Sequence, residues 1–347
     1  MNPRLKSVLK VVLSGLLTVG CLYLAFRSTD VEKLWEILSH ANYWWALAGF
    51  PVLIFSHMLR AWRWEYMLRP IKNNIRYRNL FSALVVGYMM NNILIRAGEL
   101  VRPYHIAKLE GISRSAAFGT VLIERIFDVL SFMVVIIMIP LVYSGPLLQT
   151  FPWLEEVGIW ISAVTLGAFA LFVFLMLRRD ITMKMLNYFT RHLSERRAKL
   201  VERLTHSFLD GFLFLKEPRH YFMITILSVF IWGCYIIGMY LAFFAFGMTE
   251  KYSLDLGAAM VVQGISSIAQ LVPTPGATGS YHLFTIQPLT QLYGVDADIA
   301  RSYATVTHAV GYIGVTLVGI YYFFRDRLQL ADVMKKERPV DEPNVRV

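Results

Sequence analysis

The sequence is short of cysteine and short of charge. Two cysteines in 347 residues, Cys21 and Cys234, both inside apolar runs, exclude a disulfide framework. Only 17% of residues are Asp, Glu, Lys or Arg, against about a quarter in ordinary soluble domains. No zinc-protease motif, P-loop or dinucleotide fingerprint is present, so metal-dependent hydrolysis and nucleotide-driven work are unsupported. Asp296-Ala297-Asp298 matches the bare two-aspartate pattern of metal-dependent glycosyltransferases, but that pattern is common by chance and no nucleotide-binding fold accompanies it. No polar stretch is long enough to be a soluble catalytic domain. The expectation is therefore a protein that is not an enzyme, with no cofactor and no metal site.

What is there is apolar surface. With 56% hydrophobic residues, 14% aromatic and mean hydropathy +0.50, the chain reads as an all-α polytopic membrane protein. Its net charge of +10 sits in short Lys/Arg clusters beside apolar runs, as the positive-inside rule and anionic lipid require, which argues against nucleic acid. The N-terminal run continues past Cys21 through Leu22, Tyr23 and Leu24, so it reads as an uncleaved first helix rather than a secretory signal.

Apolar runs near residues 7–26, 43–60, 126–143, 157–177, 221–246 and 304–324 give about six expected spans. Segments 79–111 and 254–292 break in the middle, at Asn91–Pro103 and Gln270–Ser280, and neither half is long enough to cross. Basic clusters put the N-terminus, the loop carrying Arg60 to Arg78, residues 178–219 and the C-terminal tail in the cytoplasm of a bacterium or archaeon. Glu155 and Glu156 mark an outer loop. Parity then makes each broken segment a re-entrant hairpin, the two entering from opposite faces as an inverted repeat. Residues 116–125 either extend the following helix or lie flat. The membrane domain is expected over residues 1–327, with 178–219 amphipathic on the inner surface and 328–347 a disordered tail.

Broken helices at membrane depth are kept where they line a cavity, so both breaks are candidate substrate sites. Arg96, Glu99 and Arg102 surround the first, and Glu124, Arg125 and Asp128 open the next span. Each charge buried in a bilayer costs about 2.5–3.5 kcal/mol even on the lenient scale, so these six must neutralise one another or face water. A polar cavity whose guanidinium groups hold a phosphate is one reading; structural glue or snorkelling is the other. In the second break, Pro273 and Pro275 remove backbone donors, Gly276 and Gly279 permit positive φ, and a helix restarting at Ser280 points its N–H groups inward. Arg301 either faces the same cavity or snorkels outward. His57, His105, His282 and His308 read as packed membrane histidines. Arg60-Ala61-Trp62-Arg63-Trp64 reads as an interface anchor.

The Arg-Ala-Trp-Arg-Trp run, Arg96-Ala97-Gly98-Glu99 with Arg102, Glu124-Arg125 with Asp128, and Pro273-Thr274-Pro275-Gly276 with Gly279 resemble the flippase-like membrane domain of lysylphosphatidylglycerol synthases and its stand-alone relatives. The resemblance covers roughly residues 7–324. It implies movement of a phosphate-bearing lipid between leaflets, such as an aminoacylated phosphatidylglycerol or a polyprenyl-linked lipid. The sequence lacks the family's soluble aminoacyl-transfer domain and has Ala277 where a second glycine is common. On this footing Arg96, Arg102 and Arg125 hold the phosphate while Glu99, Glu124 and Asp128 balance them. The alternatives are an integral-membrane enzyme or enzyme subunit acting on a lipid-linked substrate, and a non-transporting partner in lipid biosynthesis. The expected partner is a membrane lipid with a phosphate headgroup; a homo-oligomer or a lipid-biosynthesis enzyme partner is compatible.

Overall fold

The computed structural model describes residues 3–191, 194–216 and 218–328, and all regular structure among them is helical. The helices are α1 (Pro3–Phe26), α2 (Val31–His40), α3 (Tyr43–Leu68), α4 (Tyr77–Ile93), α5 (Gly98–Glu110), α6 (Arg114–Val142), α7 (Leu147–Thr150) and α8 (Trp153–Leu177). They continue as α9 (Arg179–Thr190), α10 (Glu195–Asp210), α11 (Pro218–Ala245), α12 (Met248–Lys251), α13 (Leu256–Ser267), α14 (Ser280–Gln291) and α15 (Ala297–Arg325). The predicted tail, apart from Leu328, lies outside the described residues.

Four of these helices, within α6, α8, α11 and α15, are long and apolar enough to cross a membrane among the described residues. A fifth span arises if α1 and α2, bent by 86° at residues 27–30, count as one. Of the six spans expected from the sequence, α3 is the one outside this set. Its 26 residues reach roughly 39 Å at about 1.5 Å per residue but carry four tryptophans, Arg60, Arg63 and Glu65. Residues 116–125 extend α6 rather than lying flat, because Ser113 caps the helix by accepting from the Ala116 N–H.

Both breaks form hairpins. In the first, α4 and α5 fold back on each other so tightly that a Cβ on Gly98 would lie 2.0 Å from the Gly87 carbonyl oxygen. The Asn91 side chain closes the tip by accepting from the Gly98 N–H at 2.8 Å. At its base, Glu110 accepts from Lys72, Asn79 and the Arg76 N–H, and Gly111 ends α5 in the left-handed region. In the second, α13 packs on α14 through a Ser266–Thr285 hydrogen bond of 2.9 Å. Its tip, residues 272–279, contains a 3₁₀ turn at Pro275–Ala277.

Helix α15 orders the two hairpins like a ruler. Its N-terminal Ala300 and Tyr303 pack in the cluster that holds Val262 and Leu289 of the second hairpin. His308 then meets the Gly276 carbonyl at that hairpin's tip. One turn on, Tyr312 and Thr316 bond Asn92 at the tip of the first hairpin. Further along, Gly319 lies against Met89 and Val85, and Asp326 accepts from Ser82 and lies 3.2 Å from His105 Nε2 near the first hairpin's base. The hairpins thus approach from opposite ends of one 29-residue helix, tip to tip, as charge parity predicts.

Candidate functional site

The charged site forms where α3, α5, α6 and α11 meet. Glu124 and Asp128, one turn apart on α6, face Arg60 and Arg63, three residues apart on α3. Arg60 reaches Asp128 at 2.7 Å, and its other amino group donates to the Tyr88 hydroxyl. Arg63 donates to Glu124 at 3.3 Å, to Ser228 of α11 at 2.9 Å and to Asp128. Arg102 of α5 approaches Glu124 at 2.6 Å and stacks over the Trp64 ring at 3.8 Å, while Trp64 donates to Thr120 at 2.9 Å. The indole thus sits between the hairpin and α6.

Arg102 and Arg125 both have guanidinium nitrogens without a hydrogen bond, but Arg102 is buried and Arg125 lies at the open edge. Glu124, Asp128 and Glu99 surround it at 3.7, 3.5 and 4.0 Å, yet it makes no hydrogen bond among the described residues. Its side chain is 35% exposed and that of Glu99 32%, whereas Arg63 and Glu124 are essentially sealed. Four guanidinium groups face three carboxylates, leaving one positive charge in excess at the open edge. Oxygen ligands of a phosphate fit both the charge and the planar donors of Arg125.

The structure gathers Glu99, Arg102, Glu124, Arg125 and Asp128 into one network. Arg96 stands apart: it is exposed at the hairpin tip with φ of 53°, and Glu99 pairs with Arg125 rather than with Arg96 or Arg102. Arg60 and Arg63 correct the interface-anchor reading. They are 6% and 1% exposed and supply half of the network's positive charge. The signal for them was present in the sequence, since an i, i+3 arginine pair on one helix matches an i, i+4 carboxylate pair on another.

The second break builds a different environment. Ser280 is fully buried; its hydroxyl pairs with that of Thr274 at 3.0 Å and reaches the Ala277 and Ala269 carbonyls. Gly276 and Gly279 have φ of 54° and 84°. Pro273 is exposed and its carbonyl accepts from Ser14 of α1 at 3.0 Å, while Gly279 lies against the Thr18 carbonyl and Cys21. Helix α1 therefore closes over this tip. Pro275, half-buried, opens the 3₁₀ turn. Arg301 lies away from the charged network: it donates to Asp298 at 2.6 Å, to the Ala25 carbonyl at 3.1 Å and to Ser28 at 2.6 Å, tying α1 to the start of α15. Among the described residues no group of three or more metal-ligating side chains comes together.

Comparison with known proteins matches residues 7–319 to the family described as the lysylphosphatidylglycerol synthase TM region. A UPF0104 membrane protein of Methanocaldococcus jannaschii, MJ1595, is 21% identical over 83% of this chain and 87% of its own length. A UPF0104 membrane protein of Methanothermobacter thermautotrophicus is 23% identical over 89% and 93%. The glycosyltransferase AglD of Haloferax volcanii is 21% identical over 92% of this chain, which spans 54% of AglD. No solved structure matches.

Proposed function

The chain belongs to the family of the lysylphosphatidylglycerol synthase transmembrane region, and on that premise we propose that this multi-pass membrane protein is a translocase for a phosphate-bearing lipid. One observation carries the reading: Arg125, at the open edge of a network with one surplus positive charge, is surrounded by carboxylates but hydrogen-bonded to none of them. A phosphate supplies the missing negative charge. Arg102 stands behind it through Glu124, and Glu99 gates the edge. Arg60 and Arg63 hold the carboxylates in place and do not touch the lipid.

The tip-to-tip hairpins supply the conformational element. A substrate at Arg125 is at the level of the first tip, so swinging one hairpin against the other changes which side the edge faces. No bond is made or broken in this cycle. Basic residues at 69–78 and 178–219 favour a cytoplasmic-membrane orientation with both termini inside. Helix α2, bent away from α1 with Trp35 74% exposed, suits an outer interfacial position.

Purified protein in vesicles should move fluorescent phosphatidylglycerol from a quencher-accessible leaflet to a protected one, and Arg125→Ala should not. Equal rates for both proteins would reject the reading. Similarity to AglD favours a second reading, a membrane subunit for a lipid-linked glycosyl transfer. That reading requires a change in lipid mass when enzyme and donor are supplied, with no movement by this chain alone.

A further inference from the structure

A groove of about 870 Å³ lies between the first hairpin, the start of α6 and α10, within the roughly 300–1,000 Å³ typical of ligand sites. Leu94, Leu100, Tyr104, Phe118, Leu204 and Phe208 are among its walls. Leu94, Leu100 and Phe118 are 50%, 61% and 37% exposed, so its apolar lining is only partly covered by protein.

Its two ends differ. At the base of the hairpin, Arg114 enters the lining and lies 4.5 Å over the Tyr104 ring. At the tip, Leu100 adjoins Glu99, whose carboxylate faces Arg125. Arg114 and Arg125 are eleven residues apart on α6, which brings them back within about 20° of one face and about 16 Å along the axis. A cation thus marks the mouth, an apolar wall follows, and the charged network lies beyond it. A lipid with its phosphate at the hairpin base and its chain directed towards the midplane has this same order of chemistry. A partner helix would require no cation at the mouth.

The C-terminal end of helix α10 is anchored on α6. Gly119 of α6 and Gly211 just after α10 touch so closely that a Cβ on Gly119 would lie 2.6 Å from the Phe208 carbonyl, and one on Gly211 2.5 Å from the Ala116 carbonyl. The C-terminal end of α10 is pinned there. Val201 and Leu204, in the middle of the helix, line the groove.

We propose that this groove is the capture seat for one hydrocarbon chain of a membrane lipid, with its phosphate at Arg114 and α10 as a wall anchored at the Gly119–Gly211 contact. This seat is separate from the Arg125 edge, and it rests on the translocase reading only for what happens after capture. The full-length protein is placed in phosphatidylethanolamine–phosphatidylglycerol vesicles containing phosphatidylglycerol with a diazirine at the end of one acyl chain. Illumination should label residues 94–104 and 201–208, and Leu204→Trp, which fills the groove, should reduce that labelling at least tenfold. Leu100→Trp, from the facing wall, repeats the test if the first variant melts early. Labelling spread evenly over α8 and the other lipid-facing helices, or a groove that cross-links to a second copy instead, would overturn the seat. Transport measured on the same vesicles separates the two ideas. Transport without groove labelling removes the seat alone, and groove labelling without transport removes the translocase reading alone.

Discussion

The Asn92 carbonyl accepts a hydrogen bond from the Tyr312 hydroxyl at 2.9 Å, while the Asn92 amide donates to the Tyr312 carbonyl at 3.2 Å and to Thr316 at 2.9 Å. A Cβ on Gly276 would lie 2.5 Å from the Tyr312 ring and 3.0 Å from the Asn92 amide oxygen. Tyr312 therefore sits between the two hairpin tips and touches both. Asn92→Ala removes two of these bonds, while Thr316 stays paired with the Tyr312 carbonyl at 2.6 Å, a cost of about 0.5–1.5 kcal/mol. The expected result is a lowered melting temperature together with slower lipid transport. Unchanged transport would mean that the tips work independently.

Arg63 and Arg125 lie in one network but should respond differently. Arg63→Ala removes three buried hydrogen bonds, to Glu124, Ser228 and Asp128, and empties a sealed position, while Arg60 and Arg102 still hold the two carboxylates, so the variant should melt clearly earlier than the parent protein. Arg125 is a third exposed and unbonded, so Arg125→Ala should fold normally and lose transport. Thermal melts of the two variants in the same detergent check the contrast. Similar destabilisation by both would make Arg125 structural.

Arg125→Lys keeps the charge but loses the planar pair of donors. If phosphate is gripped bidentately, the transport rate should fall by about tenfold, equivalent to roughly 1.4 kcal/mol, with stability unchanged. A wild-type rate would show that charge alone suffices.

Ala277 has φ of 56°, a conformation that costs an L-residue about 1–2 kcal/mol and glycine almost nothing. Ala277→Gly should therefore stabilise the protein by up to about 1 kcal/mol after the extra chain entropy of glycine is offset. Gly276→Ala should do the reverse, since its Cβ has no room beside Tyr312. Melting temperatures moving the same way for both would refute the strain account.

Lys33 of α2 bonds Asp296 at 2.7 Å, which holds the Asp296 carboxyl below its ordinary value and the Lys33 ammonium above its own. The lowered carboxylate value means that the tie is present at neutral pH and lost as pH falls through the folded Asp296 value. The raised ammonium value adds a loss at the alkaline end, as pH rises through the folded Lys33 value. The protection factors of the amides in residues 31–40, corrected for intrinsic exchange at each pH, should be flat through neutral pH and fall in strong acid. Asp296→Asn should abolish the acid step; a fall centred near neutrality would require another group.

Much of the architecture was legible in the sequence, because a bilayer forces it to be. Unpaired backbone is intolerable in hydrocarbon, so Pro103, Pro273, Pro275 and the glycines beside them announced two hairpins, and the Lys/Arg loops set their opposed entry. The need to neutralise buried charge singled out Arg96, Glu99, Arg102, Glu124, Arg125 and Asp128, of which all but Arg96 meet in the structure. Only the tertiary structure decided which charges meet. Arg96 and Arg102 differ by six residues in sequence, yet the left-handed turn at Arg96 leaves one outside and the helix starting at Gly98 carries the other onto Trp64. Arg60 and Arg63 looked like interface anchors until α3 packed along α11 and turned them inward to Ser228, Glu124 and Asp128. Composition and periodicity determine which residues must be hidden from lipid. The rotation of one helix against another, set by close packing at contacts such as Gly87–Gly98, determines which partner each of them finds.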